Sequence, residues 1–279
     1  MGKEEASRYR ELVARANFLS MDRPDIAFAV KELCRSMSSP TRRDAEALKR
    51  LSRYLHGRPR VILAFPWQDA EDITVFTDSD WSGCLSTRRS TSGGALMRGN
   101  HLLRHWSSTQ QTVALSSAEA ELISIVKGTS EGIGARSLLR DVGRDAAVRV
   151  RADASAAIGM ARRAGVGRVR HLDTRILWIQ DRVRTGDVAL GKVAGLENPA
   201  DLFTKYLPIE AASRHCERLG CASREGRAAS APVVVGCMLP EALVTRKVPS
   251  EEGCRKAPAS SVRCASQIAP QHSECIARP

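Results

Sequence analysis

Over the first 57 residues the apolar positions recur at helical spacing. Tyr9 to Phe18 forms an amphipathic stretch, Ile26 to Met37 a second, and Ala47, Leu48, Leu51 and Leu55 one stripe of a third over Arg43–Leu55. Arg23-Pro24-Asp25 makes the first turn, with Asp25 placed to cap the helix that follows, and Ser39-Pro40-Thr41 breaks the second helix. No catalytic spacing occurs here. The segment reads as a packing or nucleic-acid-guiding module.

From residue 68 the period shortens to two. Ile73-Thr74-Val75-Phe76-Thr77 alternates as a strand and runs into Asp78. Gly93 to Met97 and Leu102 to Trp106 read as two more strands, joined at Gly99-Asn100 as a hairpin. Ser116-Ser117-Ala118-Glu119 fits a capping box, opening a helix to about Leu139 that Gly128, Gly132 and Gly134 should weaken or bend. Val148–Ala152 is a fourth strand ending at Asp153. Helices follow over Ala154–Arg163 and Leu172–Val183, then a fifth strand over Val188–Val193 and a last helix over Pro199–Tyr206. This order predicts an α/β fold, a five-stranded mixed sheet flanked by helices.

All 12 aromatic residues lie at or before Tyr206, whereas six of the eight cysteines lie at or after Cys216. Three parts are expected: a helical segment over 7–67, a mixed-sheet domain over 68–207, and over 208–279 a short helix and then a mostly disordered tail rich in Ala, Ser, Pro and Arg.

The net charge is +12, from 43 basic against 31 acidic residues. Half of that excess, +6, sits in residues 1–67, where 14 basic residues face 8 acidic ones. A pI near 9.8 favours a polyanionic partner, and nucleic acid is the usual one. No apolar run approaches the roughly 20 residues of a membrane span. Met1 to Arg10 holds no apolar stretch, so no secretory signal is expected. An intracellular protein, cytoplasmic or nuclear and not secreted, with free thiols, is the corresponding expectation.

Asp78 and Asp153 each end a strand. If those strands are neighbours their ends lie roughly 5 Å apart, a separation at which two carboxylates repel unless a cation joins them. Hard divalent ions suit such oxygen ligands, and a pair of them can assist phosphodiester hydrolysis. Glu119 and Glu121 open the long helix on opposite sides of its apolar stripe, so spacing does not choose between them. Asp201 opens the last helix. Each acid also has an ordinary explanation, the helix dipole for Glu119, Glu121 and Asp201, turn chemistry for Asp78 and Asp153.

Taken together, the blocks Thr77-Asp78-Ser79-Asp80-Trp81-Ser82-Gly83, Arg88-Arg89-Ser90-Thr91-Ser92-Gly93 and Thr112 to Glu121 resemble the ribonuclease H domain of copia-type retrotransposon Pol polyproteins. Asp153 with Ser155-Ala156, Arg170-His171-Leu172-Asp173 and Asn198 to Lys205 follow in the same order, and Tyr9–Val13 and Arg23–Val30 resemble the connection from reverse transcriptase. The resemblance spans about residues 8 to 220. It implies a ribonuclease H-like fold in which Asp78, Glu121, Asp153 and Asp201 hold two Mg²⁺ ions, with Mn²⁺ as a substitute. It further implies hydrolysis of the RNA strand of an RNA–DNA hybrid, alongside a separate reverse transcriptase. Arg88, Arg89, Arg170 and His171 lie in its motifs as nucleic-acid contacts, His171 having a structural role as its alternative, and Trp81 as a packing residue. Two departures stand out. No Tyr-x-Asp-Asp pattern occurs, so polymerase activity is not expected, and residue 154 is Ala where the family usually carries Asn. The alternative to a nuclease is a catalytically silent nucleic-acid-binding remnant.

Overall fold

A computed structural model describes residues 1–165 and 174–226. The expected tail beyond 226, and Arg170 and His171, lie outside the described residues.

The helical leader comprises α1 (Lys3–Leu19), α2 (Ala27–Arg35) and α3 (Arg42–Gly57). Thr41 caps α3 by accepting from the Asp44 amide at 3.4 Å, while the Asp44 carboxylate accepts the Thr41 amide in return. Tyr9, Val13, Ile26, Val30, Leu33 and Leu51 interlock as a small core. Asp25 does not cap α2. It lies in a 3-10 turn, Pro24–Ile26, where its carboxylate accepts from Nε and Nη2 of Arg23 and from the hydroxyl of Tyr54. A buried Arg23 offers Asp25 a stronger partner than a helix amide does, and Pro24 directs the chain into the 3-10 turn.

A strand the sequence pattern did not reveal follows at once: β1 (Arg60–Leu63), paired antiparallel with β7 (Cys221–Arg224), which comes after α7 (Ile209–Arg218). Four-residue strands carry too few alternations to stand out.

The main sheet contains β2 (Asp72–Asp80), β3 (Thr91–Arg98), β4 (His101–Thr109), β5 (Ala147–Ala152) and β6 (Val188–Lys192), in the order β4-β3-β2-β5-β6. The first three form an antiparallel meander, whereas β5 and β6 run parallel to β2. This is the five-stranded mixed sheet that the sequence pattern predicts, and it makes the strands of Asp78 and Asp153 neighbours.

Three helices cover one face: α4 (Ser117–Asp141), α5 (Ser155–Arg162) and α6 (Thr174–Arg184). Ile73, Val75, Leu122, Ile125, Val148, Val150 and Ile179 close the core between those helices and the sheet. Ala95, Met97, Leu202, Phe203 and Leu219 form a second core, to which Ala27 of the leader contributes. A further 3-10 helix, Pro199–Phe203, stands where a last α-helix was expected, and Asn198 starts it.

α4 runs unbroken past its glycines. A Cβ at Gly128 would lie 2.3 Å from Thr77 Cγ2, so this glycine lets the helix press against β2. Gly132 meets Val148 in the same way, while Gly134 faces open space. Contact with the sheet, rather than bending, explains the first two.

Candidate metal centre

The register of β2 and β5 builds the site. Phe76 pairs with Arg151 across parallel strands, and two residues further on come Asp78, still within β2, and Asp153, just past the end of β5. Glu121, from the first turns of α4, joins them. Asp78, Glu121 and Asp153 each present a carboxylate oxygen within 4.8 Å of the others. Asp78 and Glu121 are buried, Asp153 partly so.

The two glutamates that spacing could not separate diverge here. The Glu119 carboxylate turns back to accept the Leu115 amide at 2.8 Å, and its own amide donates to Ser116 Oγ at 3.2 Å, an N-cap bond without the reciprocal half of a capping box. Glu121 accepts the Ser79 amide at 3.1 Å through Oε1, whereas its Oε2 is buried without a hydrogen-bond partner.

Asp201 stands outside the trio. Its Oδ2 takes the ammonium of Lys205 at 2.9 Å, and the same ammonium lies 4.0 Å from Asp78 Oδ2. Asp201 Oδ1 is buried and unpartnered. Burial first, and then the charge of Asp201, raise the pKa of Asp78 to about 6. Burial and the charges of Asp78 and Asp153 raise Glu121 to about 8. Asp153 moves upward for the same two kinds of reason, burial and the charge of Asp78. In all three acids burial acts first, and the negative charge of neighbouring carboxylates adds to it.

Four residues hold this arrangement. Thr204 Oγ1 donates to Asp78 Oδ2. Ser124 Oγ donates to the Asp78 carbonyl at 2.7 Å, and Asn198 Nδ2 donates to the Thr77 carbonyl at 2.9 Å. Gly93, opposite Asp78 in the register, supplies the clearance: a Cβ there would lie 2.6 Å from Thr204 Cγ2 and 2.8 Å from Phe203 Cβ. Sequence reasoning gave Asn198, Thr204 and Lys205 no roles. An Asn directly before Pro199, a strong helix-start signal, could have flagged the first of them. For Ser124 the spacing offers no signal.

Arg88 and Arg89 are exposed on the loop between β2 and β3, Arg88 with a positive φ of 54°. Trp81 is half exposed rather than packed, its Nε1 donating to the Ala114 carbonyl at 3.1 Å. Ala154 precedes α5 without a side-chain cap, as its lack of a polar group requires. Among the described residues, Cys34, Cys84, Cys216 and Cys221 are free thiols, and no helix is long and apolar enough to cross a membrane.

An oxygen-only, acid-rich trio with an orphaned buried carboxylate oxygen fits a hard divalent cation. The fold is ribonuclease H-like, and it carries a candidate metal centre at the ends of β2 and β5.

The chain is similar over most of its length to retrovirus-related Pol polyproteins of plant transposons. It is 32% identical over 188 residues to the Pol polyprotein from transposon TNT 1-94 of Nicotiana tabacum, a match covering 67% of this chain and 14% of that protein. It is 29% identical over 221 residues to the Pol polyprotein from transposon RE1 of Arabidopsis thaliana, covering 77% and 15%. The chain thus spans about one seventh of the length of these relatives. Among solved structures, it is similar to LC11-RNase H1, isolated from compost by a metagenomic approach, with 15% identity, a TM-score of 0.39, and coverage of 48% of this chain and 93% of that one. No family model matches.

Proposed function

We propose that this chain is a metal-dependent endonuclease that hydrolyses the RNA strand of RNA–DNA hybrids. The observation that carries the reading is the convergence of Asp78, Glu121 and Asp153 on one point, with Glu121 Oε2 buried and unpartnered. Similarity to transposon Pol polyproteins supports it, since the motif resemblance attaches that activity to these same acids.

In this reading Asp78, Glu121 and Asp153 hold a Mg²⁺ ion, and Asp78 with Asp201 offers ligands to a second; Mn²⁺ would serve equally. Bound there, the ions supply Lewis-acid polarisation of a phosphate and a water of lowered pKa. The protein's share is positional. Ser79, Ser124, Thr204 and Asn198 fix the carboxylates and the strand that carries Asp78, so little reorganisation accompanies binding. Arg88 and Arg89, exposed on the β2–β3 loop, would contact backbone phosphates, and the +6 of residues 1–67 would draw the duplex in. Recognition would follow the shape of the hybrid and its 2′-hydroxyls more than base sequence.

The test is to incubate the purified chain and Mg²⁺ with a hybrid labelled on either strand. Fragments of the RNA strand alone are expected. Hybrid binding without any cleavage would replace this reading with that of a silent nucleic-acid-binding remnant.

A further inference from the structure

We propose that Lys205 is a built-in counter-ion for the Asp78–Asp201 pair, and that a second divalent ion enters only by displacing its ammonium. The inference rests on reading the Asp78–Glu121–Asp153 trio as a divalent-metal site.

The four acids are not equivalent. Three of them face one another, and the Lys205 ammonium reaches that trio at Asp78, 4.0 Å away, while it pairs more closely with Asp201. Lys205 Nζ lies 2.9 Å from Asp201 Oδ2 and 4.0 Å from Asp78 Oδ2, against both of the acids that would hold a second ion. The same Asp78 oxygen accepts the Thr204 hydroxyl. Asp201 Oδ1, buried and without a partner, is the ligand atom Lys205 leaves unused.

An ammonium and a divalent ion cannot share oxygens this close, because their repulsion acts across a few ångströms of partly buried site. The lysine is able to leave. Half of its side chain is exposed, and four methylenes let the head swing into water while its backbone stays on the turn after the 3-10 helix. The site therefore carries two cation positions of different kinds. The trio is open to the first divalent ion. The Asp78–Asp201 pair is held closed by a monovalent charge, so the second ion binds more weakly than its ligands alone would allow.

The experiment is an Mn²⁺ titration of the full chain at fixed ionic strength, free ion being read by electron paramagnetic resonance, on the wild type, Lys205→Met and Lys205→Arg. Circular dichroism confirms the fold of each variant. Removing the ammonium is expected to tighten the second ion by about tenfold and the first by less. Lys205→Arg, which keeps the charge, is expected to bind the second ion no tighter than the wild type. An unchanged or weaker second ion in Lys205→Met would overturn the counter-ion role, as would a single bound ion in all three proteins, and both outcomes leave the trio as a metal site. No bound Mn²⁺ in any of the proteins would remove the metal-site reading and the counter-ion with it.

Discussion

Asn198 donates its side-chain amide to the carbonyl of Thr77, 2.9 Å away and 121 residues earlier in the chain. The bond ties the start of the Asp201 helix to the residue before Asp78, and Asn198 Oδ1 simultaneously accepts the Ala200 amide at 3.2 Å. Both residues are fully buried. Asn198→Ala removes a helix cap and strands a buried carbonyl, a loss of about 2–4 kcal/mol in total. Chemical denaturation should show that loss, and Asn198→Asp should not restore the wild-type midpoint, because a carboxylate cannot donate to Thr77.

The glycines of α4 make opposite demands. Gly128→Ala forces a methyl against Thr77 and should cost about 1–3 kcal/mol, more than the roughly 1 kcal/mol that alanine gains in a helix interior. Gly134→Ala meets nothing within 4 Å and should raise stability by about 0.5–1 kcal/mol. Thermal melts of the two variants should therefore move in opposite directions. Stabilisation by both would show that α4 does not press on β2 as described.

For the metal-free protein the acids set a pH dependence. Their folded pKa values, about 6 for Asp78 and about 8 for Glu121, lie above the ordinary 3.8 and 4.5. The folded state then binds more protons than the unfolded chain through that window. The stability they contribute is fully present below the ordinary values and is lost as pH rises through about 6 and then about 8. In chelator-treated protein the melting temperature should fall over this range, and Glu121→Gln should flatten the upper part of the fall. A melting temperature that climbs from pH 5 to pH 8 would contradict the burial of these charges.

Cys84 is held differently from the other thiols. Burial acts to raise its pKa, but hydrogen bonds from Ser86, Thr87 and Arg35 outweigh it and bring the thiol down to about 6. Cys216 and Cys221, in the second core, are pushed up to about 12, chiefly by burial. Iodoacetamide at neutral pH should label Cys84 well ahead of those two, as read by peptide mass spectrometry. Equal labelling would mean that the Arg35 contact does not persist in solution.

The sheet was legible in the sequence because Ile73–Thr77 and Val148–Ala152 alternate over five residues and the Gly99-Asn100 turn is a strong hairpin signal. The pairing of β1 with β7 was not, since short strands far apart in the chain leave no periodic mark. Asp78 and Asp153 could be brought together from their strand-end positions. Choosing Glu121 over Glu119 needed the resemblance, because the two differ only in which side of α4 meets Ser79. The capping role expected of Asp25 failed because Arg23 and Tyr54, one of them 29 residues away, compete for its carboxylate. Lys205 was invisible as part of the site. Its distance to Asp78 depends on how a 3-10 helix packs against β3, which Gly93 permits and no local pattern records.

The most direct measurement is cleavage of a labelled RNA–DNA hybrid in Mg²⁺ by the wild-type chain and by Asp78→Asn, with hybrid binding followed in parallel. The wild type should cut the RNA strand, and Asp78→Asn should bind the hybrid without cutting it. Undiminished cleavage by Asp78→Asn would contradict a centre built on Asp78, Glu121 and Asp153.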